Sequence, residues 1–357
     1  MSATELKSMF MQKYLTTTLA IIYISLTVNA KSPIHAPERQ TIKPGRIIRT
    51  CCAFGSEVKF FAIPGFKLTE ITSLGKIGTH HYLGDSKEEN GIIYTHRGGF
   101  IDMGHLRDQI DWMFFIYNQM RQSLKDGSLS LDLGHEGGDK ILTVNLSQEL
   151  SDSDLILLSA KIAYDLSVWH EIATWFGAST IPFIPERYSS FSVEDAYSNL
   201  LGVTIGIKAI ESELPYEDTV TKLIAQTLAD LGAVTEESET YMAMEAVRNI
   251  WWTRDKKLPS GKILLQRQLN VYPCLSPWLV PGWAKPDQAP LELHVPEYTK
   301  DGTLLTDYYT LEFRLNHKFP FRKMFPERKE RMITQNDFDS LLVQIASELT
   351  KRDSQFQ

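Results

Sequence analysis

The feature that most constrains the fold is a long helical segment that is apolar on almost every side. Ser151 and Asp152 are typical residues for the start of a helix, and Gly177 is a typical stop. The residues between them predict a helix over about 153–176. Because its interior is mostly apolar rather than two-faced, we expect this helix to be buried on more than one side. Other elements must therefore surround it.

Further elements follow from residue periodicity. A second long helix is predicted over about 102–124 with Asp102 as its N-cap. Alternating residues predict a hairpin around the tip at 135–138. The other predicted helices begin near 193 or cover 217–231, 236–252 and 335–349, and the predicted strands are 58–63, 75–83, 91–95, 263–269, 291–295 and 309–315. This order indicates an α+β protein with a helix-rich central region, short N-terminal strands, one hairpin and a smaller β-containing C-terminal part.

The first thirty residues have the pattern of a secretory signal peptide. Lys7 and Lys13 form a positive flank, residues 15–26 are mainly apolar, and Val28 and Ala30 are small residues at the −3 and −1 positions of a cleavage site. The apolar run is short for an uncleaved membrane anchor, and no later stretch reaches the length of a membrane span. We therefore expect a periplasmic or secreted protein, cleaved after Ala30.

The residue pattern changes from one typical of helices to one typical of strands near residue 260. We therefore expect three parts: a signal peptide over 1–30, a main helix-rich domain over 31–258, and a β-containing extension over 259–357 packed on that domain. Lys and Arg number 37 against 44 Asp and Glu, which gives a net charge of −7. A chain of this charge lacks the basic footprint of a nucleic-acid-binding protein. The expected partner is a small molecule or an envelope component.

Two long helices each carry a histidine next to carboxylates. On the first, His105 and Asp108 are three residues apart and share a face. On the second, His170 is followed by Glu171. The third helix begins with a further polar run, Glu194-Asp195-Ala196-Tyr197-Ser198-Asn199. Because buried imidazoles and carboxylates are costly unless they are paired or bind a metal, we expect these groups to face one another.

This constellation predicts a hydrolytic metal site for zinc or another divalent ion such as manganese. Such a site needs about three nitrogen or oxygen ligands and one open position. His105 and His170 are the predicted ligands, and Asp108 is a third ligand or a catalytic residue that orients them. Glu171 is the predicted general base. His170 and Glu171 also open like the HExxH motif, but Thr174 stands where its second histidine would be, so that motif is incomplete.

Two arginines are candidates for substrate binding. Arg97, which precedes Gly98-Gly99, and Arg107 on the first helix are predicted to receive an anionic group of the substrate. The alternatives to an enzyme with a metal are a metal-free acid–base site and a buried polar network in which Asp108 and Ser or Thr hydroxyls satisfy His105 and His170. In the latter case the protein is a non-enzymatic envelope binding or scaffold protein.

The cysteines allow another chemistry. Cys51 or Cys52 with His80, His81 or His96 as base would make a Cys–His hydrolase. In an oxidising compartment the third cysteine, at position 274, can instead pair with one of the other two, and the pairing stays open. There is no CxxC spacing, which makes a thiolate zinc site a poor interpretation.

Several long blocks between residues 50 and 205 stand out as motifs. They are Cys51-Cys52-Ala53-Phe54-Gly55, Asn90-Gly91-Ile92-Ile93-Tyr94-Thr95, Arg97-Gly98-Gly99-Phe100-Ile101-Asp102 with His105 and Arg107-Asp108, Ser167-Val168-Trp169-His170-Glu171-Ile172-Ala173-Thr174-Trp175-Phe176-Gly177, and Glu194-Asp195-Ala196-Tyr197-Ser198-Asn199-Leu200-Leu201-Gly202. In these blocks the chain resembles a family of exported bacterial proteins catalogued only as a domain of unknown function. The resemblance implies placement in the envelope or outside a bacterium, and it brings no activity, cofactor or fold.

Overall fold

The computed structural model describes residues 42–45, 48–49, 53–55, 70–146, 150–179, 186–212, 214–255, 263–283 and 288–354. All of these residues belong to one compact unit, Gln40–Gln357. The predicted signal peptide, the predicted strand 58–63 and the two cysteines Cys51 and Cys52 lie outside the described residues. The proposed domain boundary at 258/259 also falls outside them and stays a prediction.

The described part of the chain is a mixture of helices and small sheets, which confirms the predicted α+β class. Its helices are α1 (Met103–Ser123), α2 (Asp152–Trp175), α3 (Asp195–Glu211), α4 (Tyr216–Asp230), α5 (Glu237–Ala246), α6 (Phe321–Met324) and α7 (Phe338–Ser354). None of the described helices combines the length and the apolar character that crossing a bilayer requires.

Capping residues explain where the long helices begin. Asp102 accepts hydrogen bonds from the backbone N–H groups of Gly104 and His105, so the predicted cap of α1 is confirmed. Ser151 and Asp154 form a reciprocal capping box at the start of α2. Helix α5 is shorter than predicted, because its chain turns after Ala246 and the indole of Trp252 donates a hydrogen bond to the Met244 carbonyl at 2.9 Å.

Helices α1, α2 and α3 pack against one another around the main core. Gly202 of α3 makes the close approach to α1 possible, because a Cβ atom at this position would lie 2.2 Å from the carbonyl oxygen of Leu106. One turn later, a Cβ on Gly206 would lie 2.8 Å from the sulfur of Met113. These two glycines therefore set how near the middle of α3 comes to the first half of α1.

The strands form three small antiparallel sheets in the described residues. The strands are β1 (Ile92–Thr95), β2 (Gly99–Asp102), β3 (Ser128–His135), β4 (Gly138–Asn145), β5 (Cys274–Leu275), β6 (Leu293–His294), β7 (Tyr309–Leu315) and β8 (Met332–Thr334). The largest sheet has the order β3-β4-β7-β8, and β1 pairs with β2 and β5 with β6. The hairpin and the strand at 309–315 are confirmed. The predicted strands at 75–83 and 263–269 are wrong: the first segment forms turns, and in the second Leu264 makes a single bridge to Trp252.

The C-terminal region supports the turn of the central hairpin. Strand β7 pairs along the whole of β4, and Asn316 donates a backbone hydrogen bond to the carbonyl of Gly137 in the turn at 3.0 Å. Phe313 of β7 also stacks on Trp169 of α2, with ring centroids 4.1 Å apart. The turn between β3 and β4 is therefore fixed from one side by α2 and from the other by β7.

Candidate metal centre and adjoining pocket

Three helices bring His105, Glu171 and Asp195 together. His105 lies in the first turn of α1, Glu171 near the end of α2, and Asp195 is the first residue of α3. All three are buried, and one potential ligand atom from each lies within 4.8 Å of the others. The Nε2 atom of His105 is 3.4 Å from Oδ1 of Asp195. One imidazole and two carboxylates are a donor set that divalent metal ions bind.

Asn199, one turn into α3, orients the ring of His105. Its Oδ1 lies 3.2 Å from Nδ1 of His105. When Nδ1–H donates to this oxygen, the lone pair of the imidazole is on Nε2, the atom that faces Asp195. In metal sites, a hydrogen-bond acceptor at one ring nitrogen commonly fixes the tautomer and orientation of a histidine that binds the metal through its other nitrogen.

The two carboxylates are held by the loop before α3. The backbone N–H of Phe191 donates to Oε2 of Glu171 at 2.6 Å, and that of Ser192 donates to Oδ2 of Asp195 at 2.9 Å. Phe191 has a left-handed backbone with φ +57°, a conformation that is uncommon for a bulky residue. The loop therefore adopts a costly shape that places two consecutive N–H groups on the two acids.

Thr174 has a structural contact at the position where HExxH has its second histidine. Its hydroxyl accepts a hydrogen bond from Ser190 Oγ at 2.9 Å, and it can donate to the carbonyl of His170 at 2.9 Å. Thr174 thus anchors the same loop to α2. The third member of the candidate group comes from α3, as Asp195, instead of from the next turn of α2.

Acidic side chains are concentrated around this group, and their burial disfavours the ionised forms. Burial raises the pKa of Asp195 to about 8, the carboxylate of Glu171 adds to the rise, and His105 opposes it. Burial and the neighbouring Asp195 also raise the pKa of Glu194 well above its usual value. Oε1 of Glu194 is buried without a hydrogen-bond partner within the described ranges. A cation is the natural counterpart of such a cluster.

His170 lies close to His105 but contacts a different carboxylate. The centroids of the two rings are 6.2 Å apart. Nδ1 of His170 is 2.7 Å from Oε1 of Glu136 in the hairpin turn, and Lys140 donates to the other oxygen of Glu136 at 2.8 Å. The side chains of Glu136 and Lys140 are almost completely buried. The predicted convergence of the two imidazoles is therefore present, with a buried Glu–Lys pair behind His170.

Asp108 is bound by Arg49, which precedes β1 in the chain. Its Oδ1 lies 3.0 Å from Nη1 of Arg49, and its Oδ2 accepts from the backbone N–H of Ile48 at 3.1 Å. Arg49 also pairs with Asp111 at 2.9 Å and Glu88 at 2.5 Å. Burial raises the pKa of Asp108 to about 6 in spite of Arg49. Its predicted ligand and catalytic roles stay predictions, because its carboxylate lies outside the group formed by His105.

The two predicted substrate arginines bind backbone carbonyls. Arg107 is fully buried, donates to the carbonyl of Ile77 and to Oδ1 of Asn90, and has a pKa that burial lowers to about 10. Arg97 donates to the carbonyls of Ala289 and Asp230 at 2.9 and 3.1 Å. These contacts hold loops in place, and a role in substrate binding stays a prediction for both.

A pocket adjoins His105 between the three central helices and the hairpin. His105 and His170 line it, and so does Asn199; its remaining described walls are formed by Asp108, Gln109, Trp112, Glu136, Lys140, Leu166 and Ser167. The sequence had drawn attention to the polar start of α3, from which Asp195 and Asn199 come. Glu136 and Lys140 carried no such signal, because a hairpin turn and an alternating strand normally present polar residues to solvent.

The histidines considered for a Cys–His site have carboxylate or carbonyl neighbours. His80 Nε2 lies 3.1 Å from Asp111 Oδ1, and His81 Nδ1 lies 3.1 Å from Glu217 Oε2. His96 Nδ1 lies 3.3 Å from the carbonyl of Trp283. Both cysteines of that hypothesis lie outside the described residues, so it stays a prediction.

Comparison with known proteins gives a family without an activity. The chain matches the family described as "Protein of unknown function (DUF4056)" over residues 39–281, which is more than half of its length. No curated protein and no solved structure matches it. The match includes His105, Glu171 and Asp195 together with all the residues named above as lining the pocket. The chain therefore belongs to the DUF4056 family of proteins of unknown function.

Proposed function

We propose that this protein is a metal-dependent hydrolase in which His105, Glu171 and Asp195 bind one divalent cation. The observation that carries the proposal is the convergence of these three buried side chains, from three different helices, to within 4.8 Å at the edge of a pocket. Metal–ligand distances of about 2.1 Å require only small side-chain rotations from this starting point. Three protein ligands leave room for the open position that a catalytic site needs.

The donor set suits zinc or manganese. Imidazole nitrogen is a ligand for both, and two carboxylates favour a hard or borderline divalent ion. A cation bound there would supply Lewis-acid polarisation of a substrate oxygen and a lowered pKa for a coordinated water. The protein contributes the fixed donors, the burial, and the hydrogen bond from His105 to Asn199 that leaves Nε2 for the cation.

His170 is the proposed acid–base residue. It lines the pocket next to His105, and Glu136 fixes its ring through the 2.7 Å contact to Nδ1. A carboxylate in this position sets the orientation of an imidazole and stabilises its protonated form during proton transfer. Glu171, the base predicted from the sequence, becomes a ligand, and His170, a predicted ligand, becomes the base.

The metal proposal is tested by elemental analysis of protein purified without chelator and without a metal-affinity tag. We expect about one equivalent of zinc or manganese, its removal by chelation, and a rise in melting temperature when it is restored. His105→Ala should lose the metal, whereas His294→Ala, on the exposed edge of β6, should keep it. Absence of metal together with no thermal response to zinc or manganese would contradict the proposal.

The hydrolase part is tested separately with chromogenic ester, amide and phosphate substrates. We expect metal-dependent turnover of at least one class, and a loss of about 10²-fold or more in His170→Ala, because general acid–base catalysis contributes about that much. The variant should retain its metal. If His170→Ala turns over substrate as fast as the unchanged protein, His170 is not the acid–base residue.

The acidic residues also have structural roles, which favour a second candidate function. Asp102 caps α1, Glu171 binds the N–H of Phe191 and Asp195 binds that of Ser192. A non-enzymatic binding or scaffold protein would need such a network for folding alone. It predicts that His105→Ala lowers the melting temperature and that no substrate is turned over with or without metal.

We also propose that the protein acts outside the cytoplasm of a bacterium, in the periplasm or after secretion. The support is the pattern of residues 1–30, with a positive flank, an apolar stretch and small residues before the expected cleavage site. N-terminal sequencing of protein recovered from a bacterial host should then find Lys31 as the first residue. Recovery from the cytoplasm with residues 1–30 intact would contradict this placement.

A further inference from the structure

The side chain of Gln109 supplies an unused acceptor at the pocket. Gln109 lies one turn after His105 on α1, lines the pocket, and is only 7% exposed. Its Oε1 is buried and has no hydrogen-bond partner in the described part of the chain. Leaving such a group unpaired costs about 1–3 kcal/mol, and an unsatisfied acceptor in a pocket is explained by a ligand that donates to it.

The charges around the pocket are already compensated. Glu136 is bound by both Lys140 and His170, and Asp108 is bound by Arg49. A charged ligand group would have to leave water without finding an unpaired opposite charge, which is unfavourable. The pocket therefore favours an uncharged ligand.

Two other features of the pocket wall restrict the chemical class of the ligand. The ammonium of Lys140 has three donors, of which Glu136 accepts one at 2.8 Å, so a ligand carbonyl can accept another. Trp112 and Leu166 add apolar surface. An acceptor on Gln109, a donor on Lys140 and apolar walls match an amide group, which carries an N–H donor, a carbonyl acceptor and apolar substituents.

We propose that this pocket binds an uncharged amide of the substrate, with its N–H donating to Oε1 of Gln109 and its carbonyl accepting from Lys140. As a statement about catalysis, this rests on the proposed function and makes the substrate an acylated amine or a peptide. As a statement about binding, it depends only on the residues that line the pocket, since the metal is not needed to hold Gln109 or Lys140 in place.

The test uses a matched series of small probes on chelator-treated protein, followed by protein-observed NMR titration. N-acetylglycine dimethylamide is uncharged and has one N–H. Its N-methyl analogue has none, N-acetylglycine is an anion, and glycine dimethylamide is a cation. We expect the first to bind at millimolar concentration. The N-methyl analogue should bind about fivefold more weakly, since about 1 kcal/mol for a lost hydrogen bond corresponds to a factor of about five. The two charged probes should also bind at least about fivefold more weakly, because their charges leave water without an unpaired opposite charge in the pocket.

Two variants complete the test. Gln109→Met keeps the size of the side chain and removes the acceptor, so it should fold normally and bind the first probe about fivefold more weakly. Gln335→Met is the matched control, because Oε1 of Gln335 accepts from the N–H of Leu311 at 2.8 Å inside the sheet. It should be less stable and bind the probe unchanged.

The proposal is overturned if the uncharged probe does not bind, if its N-methyl analogue or the charged probes bind equally well, or if Gln109→Met binds it as the unchanged protein does. Because the titration uses metal-free protein, its result is independent of the metal proposal. Probe binding, combined with no metal in the purified protein and no thermal response to zinc or manganese, would contradict the metal-dependent hydrolase and support the amide site. Bound metal without probe binding would contradict the amide site and leave the metal proposal standing.

Discussion

Nε2 of His105 and Oδ1 of Asp195 lie 3.4 Å apart, and each belongs to the first turn of its own helix. The contact exists because α1 and α3 approach with their N-terminal ends side by side. Both ends carry partly positive N–H groups, which stabilise carboxylates such as Asp102 and Asp195 nearby. The candidate centre is thus built where two helices start, with the end of a third helix supplying Glu171.

The partner of His105 should control metal affinity. In Asn199→Ala the ring loses the acceptor of its Nδ1–H, so the tautomer and orientation are no longer fixed. We expect metal affinity to fall about 10- to 100-fold, the usual effect of removing such a partner. Titration with a competing chelator measures it. Asn118→Ala, whose amide donates to Phe114 on the far part of α1, is the control and should bind metal normally.

The close packing of α1 and α3 should be intolerant of a single methyl group. Gly202→Ala puts a Cβ 2.2 Å from the carbonyl oxygen of Leu106, and backbone cannot give way as a flexible side chain can. We expect a loss of about 1–3 kcal/mol or more in the free energy of unfolding. Chemical denaturation measures this loss. Gly75→Ala, where a new Cβ meets nothing within 4 Å, should be nearly neutral, and equal losses in both variants would refute the packing argument.

The buried pair Glu136–Lys140 should be strongly coupled. Lys140→Met leaves the carboxylate of Glu136 buried beside His170 without its lysine partner, and removing one member of a buried ion pair costs about 3–5 kcal/mol. Adding Glu136→Gln removes the leftover charge and should recover part of the loss. A double-mutant cycle by urea unfolding measures the coupling. Additive losses would show that the two side chains do not interact.

The Arg49 network should make stability depend on acid pH. Burial raises the pKa of Glu88, but the hydrogen bond and charge of Arg49 outweigh it and hold the value at about 2 against an ordinary 4.5. The unfolded chain therefore takes up the proton first, so this stabilisation is complete above about pH 4.5 and is lost as the pH falls towards 2. The difference corresponds to about 3 kcal/mol.

Glu88→Gln reports this directly. The variant should be less stable than the unchanged protein at pH 6 by roughly that amount, and the gap should narrow by pH 3. Denaturant titrations at the two pH values measure it. Glu312→Gln, which removes a pair with Arg314 on the sheet surface, should change stability by less than about 1 kcal/mol at either pH. If the difference in stability between Glu88→Gln and the unchanged protein is the same at both pH values, ionisation of Glu88 is not the source of the pH dependence.

Local signals explain why most of the helices were predictable. Asp102, Ser151 and Gly177 mark the ends of α1 and α2 because they satisfy backbone groups within a few residues of themselves. The alternation in β3, β4 and β7 likewise reflects one buried face. Residues 263–269 have the composition of a strand, but composition does not supply a partner strand. This segment instead makes one bridge to Trp252 and scattered backbone hydrogen bonds to its neighbours.

The candidate site was predictable only in part, because its contacts join distant segments. That His105 and His170 belong together followed from burial costs on two apolar helices. That Asp108 turns to Arg49 did not, since the lead-in around Arg49 carries no pattern that fixes where it lies. Glu194 and Asp195 are both acids at the start of α3. The sequence does not show which of them lies next to His105, because that depends on how α3 packs on α1 at Gly202.

The pairing of β4 with β7 limits how far the chain can be shortened from its C-terminal end without loss of structure. The family match ends at residue 281, whereas β7 covers Tyr309–Leu315 and carries Phe313 onto Trp169. A chain shortened to the matched segment would leave β4 as an open sheet edge, a template for aggregation, and would unfasten the turn that holds Glu136. The smallest piece that keeps the contact between Glu136 and His170 in place therefore extends beyond the segment that matches the family.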